Sequence, residues 1–153
     1  MNKLLQIIEE QLRLLEQSKI SLQYSFNESK KLIEDRLNDE FSLQQQDVFE
    51  AFASRLARTA DILVQKVLKT IQLYESEPLN TIRDMLLQAE KKNLIDSAEI
   101  MFELRLFRNE IAHDYLPKSQ IAIIEACIYF TPFLINNVDR TIGYCKKNIQ
   151  HFK

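Results

Sequence analysis

The sequence predicts an all-α protein, an up-and-down bundle of about five or six helices. Three observations carry this. The 153 residues include one glycine and three prolines, which leaves little for hairpins, while Leu, Ile, Gln, Glu and Lys dominate. Apolar residues recur at helical intervals along the chain, and helix start and stop signals separate the periodic stretches. The length suits a single domain, residues 1–153, that buries its core without disulfide or metal staples.

The first amphipathic helix is expected over residues 3 to 17, on Leu4, Ile7, Ile8, Leu12 and Leu15. A second periodic stretch follows on Ile20, Tyr24, Ile33 and Leu37, and the polar residues Asn27 to Lys31 leave open whether 3–37 is one helix or two. The break is expected at Asn38-Asp39-Glu40. Ser42 followed by Gln45 reads as a capping box. It opens a long helix to about Tyr74 carrying Phe49, Phe52, Leu56, Leu63, Val67 and Ile71 on one side. Arg55, Arg58, Lys66 and Lys69 lie along the same helix, either as a solvated face or as a basic wall for a phosphate backbone.

Glu75 to Pro78 closes that helix, because proline biases its predecessor out of the helical region. Asn80 or Thr81 caps a short helix to about Lys92, and Asn93 is a left-handed stop. Asp96 with Glu99 reads as a second capping box, opening the next helix. Pro117 suits the first turn of a last helix to about Gln150, which carries Ile121, Ile124, Ile128, Leu134, Ile135 and Val138 and is kinked by Pro132.

The formal charge of −2 gives no global attraction to nucleic acid, so any such contact comes from a local patch. The start, MNKLLQIIEEQ, lacks the uninterrupted apolar core and small-residue cleavage site of a signal peptide. The apolar run Ile121 to Ile135 is broken by Glu125 and Pro132 and is short for a bilayer, so a core helix is expected. Cys127 and Cys145 are eighteen residues apart. On one helix that is roughly 27 Å, beyond the Cα separation of about 7 Å that a disulfide spans. Two unpaired thiols fit a reducing cytoplasm. Without a Cys/His cluster no metal site is expected, and no cofactor is implied.

The chemistry concentrates in Glu103 to Pro117, ELRLFRNEIAHDYLP, which holds one of the two histidines. On an ideal helix Glu99, Glu103, Glu110 and Asp114 share an acidic face. Arg108 falls almost opposite, inside the apolar stripe of Met101, Leu104, Ile111, Ala112 and Tyr115. Asn109 and His113 stack along a flanking stripe with Phe102 and Leu106. Arg108 and His113 are the candidate catalytic pair. Arginine is permanently charged and matches phosphate oxygens with a flat fork, and histidine gives or takes a proton near neutrality. Asn109 and Tyr115 are the candidates for orientation and phosphate contact. Arg108 and His113 are about 140° apart around the helix and roughly 7.5 Å apart along it. One copy would struggle to aim both at one phosphate unless the helix end distorts, whereas two copies about a two-fold axis supply two of each.

Arg108-Asn109-x3-His113-x-Tyr115 resembles the R-x4-H-x-Y signature of HEPN domains, in particular the HepT-like toxins encoded beside a minimal nucleotidyltransferase. The resemblance extends upstream through Thr81-Ile82-Arg83-Asp84 and Leu94-Ile95-Asp96 and is strongest from about Phe41 to Pro117. It implies a HEPN-like bundle, a metal-independent endoribonuclease, and a homodimer with a composite site on Arg108 and His113. It also implies a partner nucleotidyltransferase that silences the enzyme by attaching AMP to Tyr115. Three readings stay open on the residues: this ribonuclease toxin, a non-catalytic HEPN subunit that binds nucleotide or RNA for a nucleotidyltransferase, and a purely structural helical interaction module.

Overall fold

The computed structural model describes residues 2–78, 80–113 and 120–149, and the side chains of all of these except 2, 112 and 113. Among the described residues there are helices and no strands, the all-α bundle the sequence predicts. The elements are α1 (Asn2–Glu34), α2 (Leu43–Asp61), a π-helical segment (Ile62–Leu68), α3 (Lys69–Tyr74), α4 (Ile82–Lys91), α5 (Ala98–His113) and α6 (Gln120–Asn148).

Helix α1 runs unbroken through Asn27 to Lys31, so the two periodic stretches at the N-terminus are one helix. It packs along α2 and touches α6. Its buried seam follows the predicted stripe in part, with Ile8 and Leu15 fully buried and Leu12 and Ile33 partly buried against the core. Ile20 and Tyr24 are exposed, and Leu37 lies beyond the helix, fully exposed. From Ile8 and Leu15 the seam continues at the seven-residue interval to Leu22, and Ser18, Ser25 and Ser29 complete it. Small hydroxyls there let α2 come close and bond across: Ser18 Oγ and Thr59 Oγ1 are 2.6 Å apart, and Arg55 Nη1 donates to Ser25 Oγ at 2.7 Å. The break also comes earlier than expected, with α1 ending at Glu34.

The long second helix starts as predicted. Ser42 Oγ accepts from Gln45 N at 3.1 Å, and Ser42 N donates to Gln45 Oε1 at 2.9 Å. Phe49, Phe52, Leu56, Leu63, Val67 and Ile71 are all buried. The π-helical segment within it is a departure that periodicity did not announce. At its end the Lys66 carbonyl accepts from Lys69 N, and Thr70 Oγ1 donates to it at 2.8 Å. Ser76 then turns the chain at φ 59.

Thr81 caps α4 through Asp84 N at 3.1 Å, and Asn93 stops it at φ 63, as its left-handed tolerance allows. The cap of α5 differs from expectation by one residue. Ser97, not Asp96, accepts from Ile100 N at 3.2 Å, and no Asp96/Glu99 box forms. Tertiary contacts decide this: Asn137 Oδ1 accepts from Asp96 N and Glu90 Oε1 from Ala98 N, while the Asp96 carboxylate turns to Arg140. Pro117 and the region around Gln150 lie outside the described residues.

Helix α6, 29 residues, is by length and composition long and apolar enough to cross a membrane. Ile124, Cys127, Leu134 and Val138 are buried in the bundle, where the helix packs on α1 and α2, the expected core role. Pro132 sits within it at an exposed position. Cys127 and Cys145 are free and buried, and burial pushes both thiols from 9.0 up to about 12. A thiol that ionises at 9.0 unfolded and about 12 folded contributes full stability below pH 9 and loses it as pH climbs between those values. The urea midpoint is therefore expected to hold from neutrality to pH 9 and to fall above it. The fall should be shallower in a Cys127→Ala/Cys145→Ala double variant, and an equally steep fall there would contradict the assignment to the thiols.

Candidate functional site

Helix α5 sorts its charges as the sequence predicts. Glu99, Glu103 and Glu110 are exposed, Met101 and Leu104 are fully buried, and Phe107 packs on Phe130 with ring centres 5.5 Å apart. Arg108 points inward to the last residue of α2. Its Nε donates to both Asp61 oxygens at 3.1 and 3.0 Å, and its Nη2 donates to Oδ2 at 2.7 Å. This grips one edge of the guanidinium. Of the five N–H donors, Nη1 keeps both of its own and Nη2 keeps one, so the outer edge remains a fork for a second anion.

Arg108 lines a cleft of about 670 Å³ between α1, α2, the π-helical segment and α5. Its apolar walls include Leu14, Ala57, Ile62 and Ile111, and its rim carries Arg58 and Lys66. Both of these cations are exposed and without an ion-pair partner among the described residues. Three cations against one carboxylate make a positive recess on a chain of net charge −2. A drug-sized or nucleotide-sized ligand fits that volume. The four basic residues of the long helix thus divide. Arg55 turns to Ser25 of α1, Arg58 and Lys66 reach the Arg108 cleft, and Lys69 reaches a neighbouring one.

The candidate residues are not all brought together by what is described. Arg108 lines the cleft, and Asn109, one residue on, is exposed. His113 continues α5 as α-helix, so its backbone keeps the rotation of about 140° from Arg108 that a regular helix imposes. Tyr115, with its role as AMP acceptor, lies outside the described residues, as does the stop expected near it. No group of three or more metal-ligating side chains occurs among the described residues.

Nothing matches this chain among family models, curated proteins or solved structures.

Asp61 is the site residue that sequence reading missed. It lies 47 positions from Arg108 on a different helix, and no local pattern links the two. One indirect signal existed: an arginine inside an apolar stripe requires an acid across from it, and Asp61 sits four residues before Gln65 on the stripe that starts with Ser54, Ala57 and Arg58. The π-helical segment starts at the very next residue, and such widened turns are frequent at functional sites.

Proposed function

We propose that this chain is a metal-independent endoribonuclease toxin of the HEPN class, working in the cytoplasm as a homodimer. The observation that carries the reading is the Arg108 guanidinium, clamped on one edge by Asp61, with donors to spare, in the wall of a cationic cleft. In this reading the open edge holds the scissile phosphate and steadies the charge that develops on it. His113 takes the 2′-hydroxyl proton as that oxygen attacks phosphorus, and His113 of the second copy protonates the departing 5′-oxygen. The regular helical course of α5 through His113 favours two copies, because it removes the distortion that would let one copy aim both residues at one phosphate. Asn109 orients the imidazole or the phosphate. A partner nucleotidyltransferase transfers AMP from ATP to the Tyr115 hydroxyl, releasing pyrophosphate, and the added charge and bulk exclude RNA. Two unpaired thiols suit a reducing compartment.

A second reading, a HEPN subunit that binds RNA or nucleotide without cleaving it, draws on one specific observation: the unpaired cations of the cleft are Arg58 and Lys66, which hold phosphate without chemistry.

The test is cleavage of total RNA by purified protein in excess EDTA, alongside Tyr115→Phe and the neighbouring nucleotidyltransferase with ATP. The toxin reading expects cleavage by both proteins, with wild type silenced by the transferase and Tyr115→Phe immune. RNA retention without cleavage by either protein supports the binding subunit. Neither binding nor cleavage leaves the structural module.

A further inference from the structure

The Arg108 cleft has a neighbour. A second cleft of about 390 Å³ lies on the same helix, lined by Lys69, Met85 of α4 and Thr81, and Gln65 lines both. The shared wall means that the two recesses adjoin along the π-helical segment. From Arg58 through Lys66 to Lys69 the helix advances roughly 16 Å. All three side chains are exposed and without an ion-pair partner among the described residues. Between them stands Gln65, exposed and uncharged. Among the described residues no aromatic ring lines either cleft, so these offer no stacking platform of the kind on which bases are usually read.

We propose that the two clefts form one channel for a single strand of RNA, with successive phosphates held by Arg58, Lys66 and Lys69. This rests on the ribonuclease or RNA-binding reading of the Arg108 cleft and adds a direction to it: the strand leaves the Arg108 recess past Gln65 toward α4. An extended strand of a few nucleotides covers that length, whereas a duplex is too wide for recesses of nucleotide size. Along its described lining, with cations and no stacking ring, the channel reads backbone charge and is indifferent to base identity.

The experiment is binding of a fluorescein-labelled 2′-O-methyl oligouridylate, which no ribonuclease of this chemistry cleaves, followed by anisotropy at several KCl concentrations. Arg108 on the scissile phosphate and three contacts along the channel give a single strand a log–log salt slope of about −3, and each contact is worth about fivefold in affinity near 0.1 M salt. Lys69→Gln and Arg58→Gln are each expected to weaken binding about fivefold and to flatten the slope by about 0.7. Lys147→Gln, on an exposed part of α6 that lines neither cleft, is expected to change neither. Oligocytidylate should bind like oligouridylate, and a duplex should compete poorly. If Arg58→Gln weakens binding while Lys69→Gln matches Lys147→Gln, the channel is wrong and the Arg108 site stands. Duplex competing as well as single strand also overturns the channel. A wild type that binds no RNA even at the lowest salt overturns the functional reading with it.

Discussion

His113→Ala is expected to lower RNA cleavage 100- to 10,000-fold, roughly the contribution of a general acid–base group, while the thermal midpoint stays where it is in wild type. The stability half of the result matters as much as the rate. Among the described side chains, the buried ones of α5 are Ala98, Met101, Leu104 and Phe107, all before its last turn, where Ile111 is half-buried. A histidine that only capped the helix would show the opposite pattern, a lowered midpoint and no change in rate. Because each copy supplies one His113, as base or as acid, mixing wild-type with His113→Ala subunits offers a finer measurement. A mixed dimer that has lost one of its two imidazoles is expected to be nearly as slow as the His113→Ala homodimer, whereas a site complete within one copy would keep about half of the wild-type activity. Cleavage that survives His113→Ala, or that appears only with added metal, would end this reading.

The second large effect concerns Asp61 and Arg108 as a unit. Arg108→Lys keeps the charge but loses the fork that grips a carboxylate on one edge and a phosphate on the other. Asp61→Asn keeps the shape and removes the charge that holds the guanidinium in place. A displacement of about 1 Å at a reacting centre costs on the order of 100-fold, and both variants are expected near that loss. The pair is about 30 % exposed on each side, so its share of stability is about 1 kcal/mol, the upper end for accessible ion pairs. Rate should therefore suffer far more than stability. The double variant Asp61→Asn/Arg108→Ala should be no slower than Arg108→Ala alone, because Asp61 acts only through Arg108. Independent, additive losses would show that Asp61 has some other role. Equal losses of midpoint with no rate change would return the pair to a purely structural tie between α2 and α5.

Much of the fold was legible because its signals are local. Ser42 and Gln45 are three residues apart and carry both halves of their box in their own side chains. Asn93 is a stop because of its own tolerance for the left-handed region. The failures share a different cause. Ile20 and Tyr24 form a plausible apolar stripe with Ile33, yet the true seam of α1 is half serine, and a reading that counts only hydrophobic residues discards it. Asp96 and Ser97 are adjacent and both chemically fit to cap α5. The choice belongs to Asn137, 41 residues from its partner, and to Glu90 on the preceding helix, which meet the cap only in the folded chain. The candidate site divides the same way. Arg108 at an inward position was readable from the helical stripe, whereas the acid that receives it and the cations that flank it come from another helix.

The widened turn at Ile62–Leu68 has a consequence for how the long helix meets its neighbours. It works as a phase shifter within a continuous rod. A strict α-helix turns about 100° for each residue, so accommodating an extra residue in a wide turn resets the azimuth of everything beyond it. Before the shift, Phe49, Phe52 and Leu56 are buried, and after it Thr70, Ile71 and Gln72 are buried as well. With the wide turn removed, the downstream half would swing by roughly a quarter-turn or more relative to the upstream half. Gln72, whose side chain donates to the Met85 carbonyl of α4 at 2.9 Å, would leave that partner. Lys69 would leave its line with Arg58 and Lys66. The rod is thus two faces joined at an angular offset, one fitted to the serine seam of α1 and the other packed on α1 while bonding to α4 through Gln72, with the cationic recess at the joint.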